Sequence, residues 1–303
     1  LDCPVIINKI SELKIEDYLT VCKLKRSGSN MKKKLVILIA VFLTATVIFT
    51  GCGSKKSSDD GTFKIGLECG YAPFNWTQSD SSNGAVKIDG SNEYAGGYDI
   101  EIAKKIAAGL GKKLVIVKTE WDGLIPALVS GKIDAIIAGM SPTAERKKTI
   151  DFSDNYYKSN LVMVVKRGGK YDGAISIQDF KGAKITAQLN TFHYSVIGQI
   201  NGVLKQPAMD NFPAMRVALQ SGTIDGYVSE RPEGVSAEAA NNNFKMIEFK
   251  DGFKTSDDDT AIAVGLAKGS SETSKINKIL QGVSEDTRKN IMDDAIKNQP
   301  AAK

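Results

Sequence analysis

Four short segments of this chain carry the polar residue types that hold a charged small molecule: Glu68 to Phe74, Ala138 to Arg146, Gln188 to His193 and Ser229 to Pro232. Each follows an apolar, β-branched run and precedes a helical pattern, and the unpaired N–H groups of a helix's first turn favour an anion. Acid–base and metal chemistry have little material. His193 is the single histidine, with no evident partner base or nucleophile, and Cys3, Cys22, Cys52 and Cys69 include no pair at metal-ligand spacing. No Gly-x-x-x-x-Gly-Lys-Ser/Thr loop is present to cradle a nucleotide. Neither a cofactor nor a metal is expected.

The elements that must position these segments follow from patterning. From Thr62 onward strand-like and helical stretches alternate: Phe63 to Leu67, Tyr98 to Leu110, Lys113 to Lys118, Leu124 to Ser130 and Ile133 to Ala138. Such alternation predicts an α/β fold with mainly parallel sheets flanked by helices. An internal repeat is more informative. Ala127-Leu128-Val129-Ser130-Gly131-Lys132-Ile133-Asp134-Ala135 returns 91 residues later as Ala218-Leu219-Gln220-Ser221-Gly222-Thr223-Ile224-Asp225-Gly226, and Lys64-Ile65-Gly66 is echoed by Lys184-Ile185-Thr186. In both copies a helix ends at Ser-Gly, where glycine takes a left-handed cap, and a buried strand follows the Asp. Two lobes of similar plan are expected, with their strand ends facing one cleft.

The chain has 303 residues, 42% hydrophobic and 25% charged, within the globular range. Its net charge of +5 is concentrated at the amino end: residues 1–51 hold 8 basic and 4 acidic side chains, the remainder 32 and 31. The folded part therefore lacks the basic excess that a phosphate backbone requires, and nucleic acid is excluded as a partner. Lys32 to Lys34 follow Met31 and precede fifteen uncharged residues, Leu35 to Phe49, too few to span a bilayer comfortably. This order describes a secretory signal over 31–51. Thr50-Gly51-Cys52 resembles a bacterial lipobox, which implies acylation at Cys52. Residues 1–30 are expected to lie outside the natural product, and the Ser-, Lys- and Asp-rich 52–61 is expected to be a flexible tether. With Cys52 carrying lipid, Cys69 is left as a lone, packed thiol without a disulfide.

Four blocks together resemble the extracellular solute-binding proteins of family 3, which deliver polar amino acids to ABC importers. They are Gly97-Tyr98-Asp99-Ile100-Glu101-Ile102 with the helical stretch after it, Trp121 to Leu128, Ala138 to Arg146, and Asp151 to Tyr157. The similarity runs from about Phe63 through the 260s. It implies a periplasmic-binding-protein fold of two lobes joined by two hinge strands, with 62–164 and 258–303 forming lobe 1 and 165–257 lobe 2. It also implies site residues. Arg146 would grip the ligand's α-carboxylate through its planar fork. Ser141 would cap a helix begun by Pro142, and the backbone of Ala138, Gly139 and Ser141 would add donors to that carboxylate. Glu230, where most members have Asp, would hold the α-ammonium, Gln188 and Thr191 would close over the ligand, and His193 would be a polar wall. Glu68 would face the ligand's side chain between Tyr71 and Trp121, which suits lysine, arginine, ornithine or histidine. Asn190 stands where the family has glycine, in a turn that asparagine tolerates.

The resemblance thus implies a monomeric, non-enzymatic, lipid-anchored binding protein on the outer face of the cytoplasmic membrane, in a Gram-positive envelope. It would act with a separate permease and ATPase. Two alternatives stay open: a dehydratase-like enzyme on the same fold, with Glu68 or Glu230 as proton donor, and a sensor module presenting ligand to a membrane receptor. The connection Phe74 to Gly97 is longer than the family's and reads as an exposed hairpin at the cleft mouth.

Overall fold

The computed structural model describes residues 61–300. The upstream segment 1–30, the signal over 31–51, Cys52 and the tether as far as residue 60 lie outside the described residues. In chain order the strands are β1 (Thr62–Leu67), β2 (Gly70–Tyr71), β3 (Asn75–Gln78), β4 (Val86–Lys87), β5 (Tyr94–Gly96), β6 (Lys113–Lys118), β7 (Ala135–Ile136), β8 (Asp151–Lys158), β9 (Leu161–Lys166), β10 (Lys184–Thr186), β11 (Leu204–Lys205), β12 (Gly226–Glu230), β13 (Phe244–Ile247) and β14 (Ala261–Leu266). The α-helices are α1 (Tyr98–Leu110), α2 (Leu124–Val129), α3 (Phe192–Val196), α4 (Phe212–Ser221), α5 (Arg231–Ala240), α6 (Asp257–Thr260), α7 (Thr273–Gln281) and α8 (Glu285–Asn298).

Two five-stranded sheets repeat one plan. The first runs β6-β1-β7-β14-β8 and the second β11-β10-β12-β9-β13. In each, a parallel trio centred on β1 or β10 is extended by two strands that pair antiparallel. This is the two-lobed α/β architecture that the alternation predicts. The repeat has a structural reason. Asp134 Oδ2 accepts the Lys64 N–H at 2.8 Å, and Asp225 Oδ2 accepts the Lys184 N–H at 2.8 Å. Each aspartate, just before β7 or β12, ties the start of that strand to the backbone at the start of β1 or β10, the middle strand of its parallel trio. The preceding helices end as expected, with Gly131 at φ 73° and Gly222 at φ 80°.

The connection between Phe74 and Gly97 differs from an exposed hairpin. It supplies β3, β4 and β5 to a small antiparallel sheet, β2-β3-β5-β4, and Trp76 and Ala95 are buried in the first core. Its exposed residues fall in two stretches, Ser79 to Gly84 and around Lys87 to Glu93. Burying an indole offsets the entropy of ordering so long a connection. The tail after Ser270 forms α7 and α8; α8 packs on α1 and also on α5, which leaves the second sheet.

The helix that anchors this small sheet starts at a position only glycine fits. Gly97 has φ 121°, and a Cβ there would sit 2.4 Å from the Phe74 carbonyl oxygen. Gly97→Ala is expected to destabilise the chain by about 3 kcal/mol or more, since both strain and a backbone clash arise. Gly173→Ala, in open space without a positive φ, should stay within about 0.5 kcal/mol. Urea midpoints of the two variants check this.

Candidate functional site

The four polar segments converge. Glu68 follows β1, the 138–146 loop follows β7, the 188–193 segment follows β10, and Glu230 ends β12 and precedes α5. Tyr71, Trp121, Gly139, Ser141, Arg146, Gln188, Thr191, His193 and Glu230 line one nearly closed cavity of about 10 Å³ together with Phe192. Glu68 and Ala138 lie behind this lining. Ala138 is fully buried, and Glu68 connects to the cavity through Gln188, whose Nε2 donates to Glu68 Oε2 at 2.9 Å. Larger depressions occur elsewhere, one of about 350 Å³ beside Trp76 and α8. That depression does not collect the convergent, buried charges of the smaller cavity.

Arg146 donates through Nη1 to the Ser141 carbonyl at 2.9 Å and through Nη2 to the Asn190 carbonyl at 3.1 Å. Its guanidinium lies 5.0 Å from the centroid of the Trp121 ring, a cation–π distance. Burial draws its pKa down to about 10, against the pull of Glu230 and Asp259, and it stays charged at neutral pH. Glu230 is 2% exposed. Burial pushes its carboxyl up, but the combined effect of the neighbouring His193 side chain and the Tyr71 hydroxyl outweighs it, and Glu230 sits below its usual range. His193 Nε2 lies 2.9 Å from Glu230 Oε1, close but not aligned as a hydrogen bond. The Tyr71 hydroxyl donates to Glu230 Oε2, joining the small sheet to β12 across the cavity.

Glu68 is the opposite case. It is 7% exposed, its Oε1 has no partner, and burial, with Glu120 and Asp99 adding like charge, pushes its carboxyl up to about 8 despite the Gln188 bond. One pair of carboxylates therefore differs in protonation at neutral pH: Glu230 ionised, Glu68 neutral.

The 138–146 loop departs from expectation in two respects. No helix begins at Pro142; only a short 3₁₀ turn follows, Arg146–Lys148. The Ser141 hydroxyl therefore has no helix to cap and donates to the Asp259 carbonyl at 2.8 Å, tying the loop to the chain's return to the first sheet. The Gly139 N–H is not free for a carboxylate either, because it donates to the Tyr156 hydroxyl oxygen at 3.2 Å. The Asn190 turn is as expected, at φ 54°, and the side chain adds a bond to Asp122 Oδ1 at 2.8 Å.

Sequence reasoning did not find Phe212, which begins α4 and stacks on Tyr71 at 4.3 Å between centroids and 5° between planes. The Asn211 cap and Pro213 mark that helix start, but nothing local reveals that its first ring faces Tyr71. Phe192 was likewise missed as lining. Cys69 is a packed thiol, 4% exposed, and burial pushes it up to about 12. Among the described residues no metal-ligating cluster occurs and no helix is long and apolar enough to cross a membrane.

Residues 63–297 match the family model of bacterial extracellular solute-binding proteins, family 3. The chain belongs to that family. Among its relatives, an arginine-binding extracellular protein, ArtP, of Bacillus subtilis is 30% identical over 263 residues, 84% of this chain and 94% of the relative. A probable histidine-binding protein of Campylobacter jejuni is 33% identical over 220 residues, 64% of this chain and 79% of the relative. A similar solved structure, the ABC transporter substrate-binding protein AbpA of Streptococcus pneumoniae bound to L-arginine, has a TM-score of 0.66 at 26% identity, covering 78% of this chain and 95% of that one. In this family 3 chain the fold is therefore a shared feature.

The raised Glu68 carboxyl fixes a stability trend. Its native form holds a proton up to about pH 8, whereas an unfolded glutamate loses it near 4.5. The folded state binds more protons in between, so stability falls as pH rises from about 4.5 to about 8 and levels off above. Glu68→Gln removes that loss, with a ceiling on the order of 5 kcal/mol. The variant's thermal midpoint should match wild type at pH 4 and exceed it by several degrees at pH 8.5; equal midpoints at both would refute the assignment.

Proposed function

We propose that this protein is the substrate-binding component of an ABC importer and captures an extracellular amino acid with a cationic side chain between its two sheets. The observation that carries the reading is the convergence of Arg146 and Glu230 in one small cavity. A zwitterion presents a carboxylate, which the guanidinium fork receives, and an ammonium, which an ionised carboxylate receives. At about 10 Å³ the cavity has room for no more than about one water, so the two sheets must part to admit an amino acid and close again around it. Behind it, the unpartnered Glu68 oxygen supports a cationic side chain, with Trp121 and Tyr71 offering aromatic faces. The arginine- and histidine-binding relatives support the same class.

In this reading the two sheets rotate together on the ligand, because each supplies part of its shell. The protein acts as a monomer, held at the outer face of a Gram-positive cytoplasmic membrane through lipid on Cys52, and hands its ligand to permease subunits driven by a separate ATPase. A second reading has one observation in its favour: a neutral Glu68 is a suitable proton donor for a dehydratase. A similar solved structure, 28% identical with a TM-score of 0.64, is an ancestral amino-acid-binding protein described as a precursor of cyclohexadienyl dehydratase. The ionised Glu230, placed for an ammonium, favours the binder. No feature of the domain separates transport from ligand sensing, and a permease and ATPase that copurify with it would.

Calorimetric titration of protein refolded from denaturant, with the twenty amino acids and ornithine, tests the reading. Arginine, lysine, ornithine or histidine should bind near micromolar, about −8 kcal/mol. Glu230→Gln should weaken binding by about 100-fold, by leaving the ligand's ammonium buried without a counter-charge, and Arg146→Lys by a similar factor, because lysine keeps the charge but loses the two-point fork on the carboxylate. Tight binding of neutral amino acids alone would overturn the cationic assignment, and turnover of a cyclic carboxylic acid without amino-acid binding would favour the enzyme.

The pH dependence has a definite sign. A cationic ligand requires ionised Glu68, so binding below about pH 8 releases one proton. Affinity should rise about tenfold per unit between pH 6 and 7 and flatten above 8. Titrations in buffers of different ionisation enthalpy measure the proton directly; a flat profile would remove Glu68 from ligand contact.

A further inference from the structure

We propose that Asp99 is a positioning residue for the binding cleft, acting through Tyr156 and Asn75 on the Gly139 peptide and on the hairpin that carries Tyr71. The inference rests on the amino-acid-binding reading for its functional consequence. Asp99 is the second residue of α1 and fully buried. Two donors converge on its carboxylate: Tyr156 Oη on Oδ1 at 2.7 Å and Asn75 Nδ2 on Oδ2 at 2.9 Å. Burial pushes this carboxyl up to about 7, and the donors, with the Gly139 N–H, hold it from rising further. The first turn of a thirteen-residue helix adds a favourable field for the ionised form.

Each arm of this junction ends in the cleft. Tyr156 accepts the Gly139 N–H at 3.2 Å. Because a peptide unit is planar and trans, fixing that N–H inward turns the Ala138 carbonyl the opposite way and sets the plane on which Tyr71 rests. The contact is close: a Cβ at Gly139 would lie 2.6 Å from Tyr71 Cε1. The other arm, Asn75, pairs β3 with β2 directly opposite Tyr71. The start of α1 reinforces both, as Tyr98 N–H and Asp99 N–H donate to the Pro73 and Phe74 carbonyls at 3.0 and 2.8 Å, and the Tyr98 hydroxyl donates to the Tyr156 carbonyl at 2.9 Å. Asp99 is not itself among the residues that line the cavity. It determines where Gly139 and Tyr71 stand, and Tyr71 in turn reaches Glu230.

The test is a double-mutant cycle with L-arginine as probe, read by calorimetry, together with hydrogen exchange and the amide resonance of Gly139 in ¹⁵N-labelled protein. Tyr156→Phe removes only the hydroxyl; Asp99→Asn leaves one acceptor where two donors converge. Both variants should keep a wild-type circular dichroism spectrum, and each should weaken L-arginine binding about tenfold. The double variant should be no weaker than either single, because the two side chains act in series. In Tyr156→Phe the Gly139 amide should shift and exchange at least 100-fold faster, while the Gly66 amide stays unchanged. Losses that add, or a Gly139 amide unmoved by Tyr156→Phe, would overturn the proposal. If Asp99→Asn does not fold, Tyr156→Phe and Asn75→Ala decide on the same two readouts. Wild-type protein that fails to bind L-arginine would refute the ligand assignment and leave the Gly139 exchange to decide the positioning role.

Discussion

A carboxylate removed from water has to be met by donors or give up its charge, and four of them lie beneath this cleft: Glu68, Asp99, Glu230 and Glu233. Each is met differently. Glu230 is held ionised beside His193 and Tyr71. Glu233 accepts from both Nε and Nη2 of Arg216, at 3.0 and 2.8 Å, and from the Tyr227 hydroxyl at 3.0 Å. Asp99 is met by two neutral donors, and Glu68 by a single amide, which is too little to keep its proton off at neutral pH. The donors come from different strands and helices, so satisfying these four acids fixes how the elements around the cleft are packed.

Glu233 illustrates the point for the second sheet. It sits in the first turn of α5, three residues after Glu230, and ties that helix to β12 through Tyr227 and to α4 through Arg216. α4 begins with Phe212, whose ring stacks on Tyr71. One buried ion pair thus sets the two second-sheet groups that Tyr71 meets. A buried pair of this kind is weak evidence for stability and better understood as fixing geometry.

Much of this was legible in the sequence wherever the determinant is local. The Ser-Gly helix ends and the Asp after each copy of the repeat are short-range signals, and the Asp134 and Asp225 bonds to Lys64 and Lys184 explain why the two echoes occur in the same order. Asn190 in a left-handed turn is likewise a property of one residue. What could not be read was the direction of side chains whose partners are remote. Ser141 bonds Asp259, 118 residues away, and Tyr71 bonds Glu230, 159 away. In both cases the residue type was right for the site, and the partner was decided by how distant elements pack. Pro142 misled for a related reason: a Ser-Pro start is a helix signal only if the following residues bury a face, and Ala144, Glu145, Lys147 and Lys148 are exposed.

The last helix, α8, lies against α1 on the first sheet's side and against α5 on the second's, and the Ser236 hydroxyl of α5 donates to Gln299, just past the end of α8. A rotation of one sheet against the other would have to shear this contact. The carboxyl end therefore behaves as a strain gauge. An environment-sensitive dye placed there would register the mechanical state of the cleft without occupying it, and a bulky carboxy-terminal tag fused at the same place would load the hinge it is meant to leave alone.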